Sequence, residues 1–84
     1  MKRTFYLSPQ TYYYNYAIEG TCHLSLAFPK GMYCKAHSIK QAFVYFKRRI
    51  AIYDMCDMYD IDFPISDIKI IEENNSEQIP RDTE

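Results

Sequence analysis

An 84-residue chain has room for one domain, and a domain of this size buries only about 60% of the surface its unfolded chain exposes, which excludes a deep, enclosed active site. An apolar fraction of 48% and an aromatic fraction of 17%, made of nine Tyr and five Phe with no Trp, exclude disorder over most of the length. The net charge of −1 conceals two opposed halves: residues 1–53 hold eight Lys or Arg and one acid, Glu19, whereas residues 54–84 hold ten acids against Lys69 and Arg81. Such asymmetry is a statement about partners.

The chain opens with basic residues at Lys2 and Arg3, but Ser8-Pro9-Gln10 and a run of tyrosines stand where a secretory signal needs an apolar stretch. No run approaches the roughly 20 apolar residues of a membrane span. Three cysteines, Cys22, Cys34 and Cys56, are an odd number and fit thiols in a reducing cytosol, so a cytoplasmic protein without membrane contact is expected. Residues 4–7 admit a short strand, cut off by Ser8-Pro9.

Thr11 to Glu19 reads as a strand with Tyr12, Tyr14, Tyr16 and Ile18 on the core side. A turn at Glu19-Gly20-Thr21 sets Tyr16 beside Leu24 and Tyr14 beside Leu26. Two further alternating runs flank Pro29-Lys30-Gly31, with Leu24, Leu26 and Phe28 before it and Met32, Cys34 and Ala36 after it. Pro supplies a fixed φ and Gly a left-handed residue, so a hairpin pairing Phe28 with Met32 and Leu26 with Cys34 is expected.

At Ser38 the period changes from two to 3.6, and Ser38 with Gln41 forms a capping box for a helix from Ile39 to about Cys56. Its core stripe is Ile39, Ala42, Phe43, Phe46, Ile50 and Tyr53. After Asp60-Ile61-Asp62-Phe63-Pro64, residues Ile65 to Ile71 read as a last strand. The fold class is therefore α+β: a small antiparallel meander packed against one long amphipathic helix and followed by a final strand, in the order β-β-β-α-β. Residues 1–71 form the domain and 72–84 an acidic, disordered tail.

Catalytic readings fare poorly. Cys22-His23, Cys34-x-x-His37 and Cys56 offer soft ligands, but in the expected register Cys22 and Cys34 lie too far apart along the sheet to share zinc. Cys34 is expected in the core and Cys56 near a helix C-terminus, where the dipole opposes a thiolate, so neither is activated, and both glycines, Gly20 and Gly31, belong to turns rather than a phosphate loop. No catalytic residue, metal or cofactor is expected.

Three surfaces remain. The helix carries a second apolar set, Val44, Tyr45, Ala51, Ile52, Met55 and Met58, around Arg48 and Arg49, more than a monomer of this size exposes to water. Asp54, Asp57, Asp60 and Asp62 make an acidic patch suited to a basic surface. The third is an outward sheet face of Tyr13, Asn15, His23, Tyr33, Lys35 and His37. The favoured function is a non-enzymatic protein-binding module, an inhibitor or adaptor, that uses Val44, Arg48, Arg49, Ile52 and Met55 together with the four acids. Size and acidity suit a phage or mobile-element inhibitor of a host nucleic-acid-targeting complex, of the anti-CRISPR kind, although no motif marks it as one. The alternative is an RNA-binding or ribosome-associated domain that stacks bases on Tyr13 and Tyr33 and holds phosphates with Lys35 and His37. A homodimer closed through Val44 and Ile52 is the third reading.

Overall fold

The computed structural model of the protein describes residues 1–71, so the expected acidic tail, 72–84, lies outside the described residues. In the first seven residues, Phe5 and Leu7 alternate with Thr4 and Tyr6, and this period-two pattern forms β1 (Arg3–Leu7) with Phe5 and Leu7 in the core. There follow β2 (Tyr12–Asn15), β3 (Gly20–His23), β4 (Met32–Ala36), helix α1 (Ile39–Asp54), β5 (Ile61–Asp62) and β6 (Ile68–Ile71). The class is α+β as expected, one helix packed against antiparallel sheets.

Two three-stranded sheets, β4-β1-β6 and β3-β2-β5, share that helix. In the first, β1 is the central strand: Leu7 faces Met32 on one side and Ile68 on the other, and Phe5 faces Cys34 and Ile70. Met32, Cys34 and Ala36 turn inward as the alternation of β4 requires, but their partner is β1 and not the segment before the turn. The expected hairpin is thus corrected. Leu24–Leu26 forms a 3₁₀ turn, with Ala27 and Phe28 N–H groups both donating to the Leu24 carbonyl at 3.0 and 2.8 Å. In that turn Leu24 is buried while Leu26 is 79% exposed. Pairing β4 with β1 makes β1 a central strand hydrogen-bonded on both edges and buries Phe5 and Leu7 in the core, whereas Leu24–Leu26 satisfies its backbone within its own turn.

The turn chemistry itself is as read. Gly31 has φ of 79° and donates to the Phe28 carbonyl at 2.9 Å. A Cβ at Gly31 would lie 2.6 Å from the Leu7 carbonyl and 2.9 Å from the Tyr6 ring, so the glycine also lets the turn lie against β1.

In the second sheet, β2 and β3 form a hairpin with Tyr14 opposite Thr21 and Tyr13 opposite Cys22. The connection is the four residues Tyr16 to Glu19, with Glu19 at φ of 53°. The expected loop had three residues. One extra loop residue changes the parity of the pairing, and the inward set becomes Tyr13 and Asn15 while Tyr12, Tyr16 and Ile18 face out. β5 adds to the free edge of β2 through Asn15 opposite Ile61, and the Tyr16 N–H extends that edge by donating to the Asp60 carbonyl at 2.7 Å.

Helix α1 begins as expected, with the Gln41 N–H donating to Ser38 Oγ at 3.2 Å and the His37 N–H donating to Gln41 Oε1 at 2.7 Å. Its buried residues are Ala42, Phe46, Ile50 and Ala51, with Phe43 stacked edge-on against Phe63 at 5.0 Å. Relative to the expected stripe, the buried face is rotated toward Ala51, which leaves Ile39 and Tyr53 exposed. Serving two sheets instead of one requires that rotation.

Candidate functional site

The end of α1 is shaped by backbone geometry. Met55 takes a left-handed conformation (φ 60°, ψ 45°), its N–H donates to the Ile52 carbonyl at 3.3 Å, and the Cys56 N–H reaches the Ala51 carbonyl at 3.0 Å. This is the Schellman arrangement with methionine where glycine is usual. Two residues on, Asp57 Oδ1 accepts from the Tyr59 N–H at 2.8 Å and starts the 3₁₀ turn Met58–Asp60. Two abrupt turns in succession push side chains outward. Ile52, Met55 and Tyr59 are 74%, 90% and 80% exposed. Ile52 and Tyr59 line a cleft of about 480 Å³ together with Arg48, Ala51, Cys56, Asp57 and Met58.

Beneath this surface lies a polar cluster that joins the helix end to β2. The Tyr13 hydroxyl donates to Asp54 Oδ2 at 2.7 Å, and Asn15 Nδ2 donates to the same oxygen at 2.9 Å. Asn15 is 1% and Tyr13 4% exposed, and Asn15 Oδ1 is itself satisfied by the Ala17 N–H at 2.8 Å. Burial, reinforced by the neighbouring carboxylate, pushes the Tyr13 phenol well above its ordinary value. Such a phenol stays protonated and serves as a donor. The three cysteines are free thiols, and burial pushes Cys34 and Cys56 upward, away from the thiolate a nucleophile needs.

The expected site residues divide accordingly. Arg48, Ile52 and Asp57 are brought together in one cleft at the end of α1 and Met55 is exposed at the helix cap, whereas Val44 lies two turns back and is only partly exposed. Arg49 is committed locally, donating to the Tyr45 hydroxyl at 2.9 Å and lying over the Phe28 ring at 5.7 Å. Asp54 is corrected from an outward acid to a buried-side acceptor, because Tyr13 and Asn15 claim its carboxylate. Asp60 Oδ2 bonds back to the Asp57 N–H at 3.4 Å, and Asp62 is exposed on β5. The single outward face expected for Tyr13, Tyr33, Lys35 and His37 does not exist as such. Tyr13 is in the core of one sheet, Tyr33 and Lys35 project from the other, and His37 lies beyond the end of β4, just before α1. His23 lies opposite Tyr12 in the β3-β2-β5 sheet and stacks edge-on against it at 4.6 Å.

Comparison with protein-family models, curated proteins and solved structures found no match. Function therefore rests on chemistry. Among the described residues no three His, Cys, Asp or Glu side chains converge as a metal site, and no helix is long and apolar enough to cross a membrane.

Two groups escaped the sequence reading. Tyr59 belongs to the exposed cluster, but it follows the helix cap, where a wheel no longer applies; the apolar Met55, Met58 and Tyr59 among aspartates were its signal. Tyr6 and Lys69 share a sheet face with Tyr33 and Lys35, since Tyr6 lies opposite both Tyr33 and Lys69 and Thr4 opposite Lys35. The alternation of residues 4–7 was the clue there, and only the pairing of β1 with both neighbours made it legible.

Proposed function

We propose that this chain is a non-catalytic protein-binding module, an inhibitor or adaptor, that seats the C-terminal end of α1 on a partner. One observation carries the reading: Ile52 and Tyr59, each about three-quarters or more exposed, line one cleft with Arg48, and Met55 at the adjoining helix cap is 90% exposed. Side chains of this size amount to a patch of about a few hundred Å², the scale at which exposed apolar surface marks an interaction site. Aromatic, methionine and arginine side chains are also the types enriched at interface centres. The left-handed Met55 adds support, because glycine would relieve the backbone there and methionine offers a flexible apolar anchor instead. Asp57, exposed in the cleft lining, suits a partner with basic residues around an apolar centre.

The test compares the parent with Ile52→Glu and Tyr59→Ala in affinity capture from the native host, with Tyr33→Ser, exposed on β4 of the β4-β1-β6 sheet, as a control. A partner held by the parent and the control and lost by both helix-end variants supports the reading. Identical captures from all four proteins refute it. Size-exclusion elution of the parent beside Ile52→Glu decides whether the partner is a second copy of the chain.

A further inference from the structure

The outer face of the β3-β2-β5 sheet carries a row of side chains across its strands, with Tyr14 of β2 opposite both Thr21 of β3 and Asp62 of β5. Tyr12 lies on the same face, two residues and about 7 Å along β2, because Tyr13 and Asn15 take the core side. Tyr12, Tyr14, Thr21 and Asp62, with Phe63 and Pro64, line an open cleft of about 440 Å³. None of its lining residues is basic, and Asp62 is its one acid. The Asp62 carboxylate is exposed, and no described residue pairs with it. Lys69 belongs to an adjoining cleft, which it lines together with Asp67. Both rings are held from outside the cleft. Tyr12 stands edge-on to His23 at 4.6 Å, His23 is itself hydrogen-bonded to Ser25, and Tyr14 meets Tyr16 at 4.7 Å with planes at 69°. Such support reduces the ordering that a ligand has to impose. We infer that this cleft receives an arginine side chain from a partner protein, its guanidinium laid against the Tyr14 ring beside Tyr12 and forked onto the Asp62 carboxylate. The ligand class follows from the chemistry. Tyrosine ring faces attract a cation, and the carboxylate opposite one of them supplies the counter-charge. Directly opposed residues on paired strands have Cβ atoms about 5 Å apart, so ring and carboxylate reach one guanidinium together. Arginine answers both at once as a planar ion that stacks and donates bidentately, whereas lysine is a strongly hydrated point charge. A divalent metal would find a single carboxylate here, too few ligands to hold it. This cleft is separate from the end of α1 and does not depend on the reading proposed for it.

The experiment is an amide NMR titration of the full chain with a capped glycine-arginine-glycine peptide, beside the same peptide carrying lysine or the neutral isostere citrulline, and with maltose as an uncharged ligand that also stacks on aromatic rings. Concentrations run to about 20 mM, since one exposed side-chain site of this kind supplies roughly millimolar affinity. The arginine peptide is expected to shift the amides of Tyr12, Tyr14, Thr21 and Asp62 and to leave those of Ile52 and Tyr59 in place, with the citrulline peptide at least about five-fold weaker. Tyr14→Leu should weaken binding by about two- to five-fold, while Tyr14→Phe, which keeps the ring, should bind as the parent does. Asp62→Asn should also cost about two- to five-fold and remove most of the salt dependence. All three changes lie on the outward face, and circular dichroism checks that the fold is kept. Ile52→Glu, at the end of α1, should bind as the parent does. Absence of shifts from the arginine peptide at the highest concentration overturns the inference. So do equal shifts from the citrulline peptide, a lysine peptide that binds as tightly, shifts confined to the helix end, or maltose bound in the cleft where arginine is not.

Discussion

Replacing Asp54 with alanine removes the acceptor shared by the Tyr13 hydroxyl and Asn15 Nδ2, at 2.7 and 2.9 Å, and strands both donors where solvent scarcely reaches them. Hydrogen bonds to a charged group are worth about 1.5–3 kcal/mol each, and a donor left buried bears its full desolvation penalty, giving a gross loss of about 3–6 kcal/mol. Two effects work against this. An acid in the last helical turn opposes the macrodipole by about 0.3–1 kcal/mol, and alanine is the better helix former by about 0.7 kcal/mol. The net expectation is a loss of about 2–4 kcal/mol, or roughly 10–30 °C in Tm for a domain of this size. That is a large share of the roughly 4–13 kcal/mol such a chain has in total. Urea denaturation would show it as a lower midpoint at unchanged m, and a cycle with Tyr13→Phe should give a coupling of about 1–2 kcal/mol. A loss below about 0.5 kcal/mol, the range of an ordinary surface change, would refute the buried-acceptor argument.

Met55→Gly should raise stability by about 0.5–1 kcal/mol in the same assay, since glycine adopts the left-handed cap without the steric penalty, while weakening partner capture through loss of the most exposed of the three anchors; a destabilised variant would contradict the strain. Gly31→Ala should cost about 2 kcal/mol or more, because its Cβ meets the Leu7 carbonyl at 2.6 Å in a backbone conformation that alanine resists; a near-neutral midpoint would show that the turn can move. Because the Tyr13 phenol is raised in the folded state, its contribution is complete below the ordinary tyrosine value of about 10 and is lost as pH climbs past it; stability measured above pH 10 should fall more steeply in the parent than in Tyr13→Phe, and equal slopes would argue against it. Iodoacetamide at pH 8 should label Cys34 and Cys56 more slowly in the folded protein than in urea, as judged by peptide mass spectrometry, and equal rates would deny the effect of burial.

What the sequence determined by itself was local. Ser38 and Gln41 marked the start of α1, Gly31 marked a turn, and the period-two pattern of Met32, Cys34 and Ala36 assigned the inner face of β4, because each depends on neighbours within a few residues. The α+β class followed from the change of period. The apolar excess on α1 was likewise visible, and it pointed to Ile52 and Met55 before any contact was known.

Tertiary structure decided which strand met which and therefore which side chains could act. Leu24, Leu26 and Phe28 alternate as a strand does, yet form a turn once β1 takes the edge of β4. A loop of four residues instead of three turned Tyr13 and Asn15 inward and made Asp54 their acceptor rather than part of an outward patch. Side chains alternate with a period of two, so one residue of register exchanges the two faces of a strand, and that register is fixed by burial against distant partners. For this chain the difference separated a tyrosine that holds the core, Tyr13, from the pair that faces solvent, Tyr6 and Tyr33.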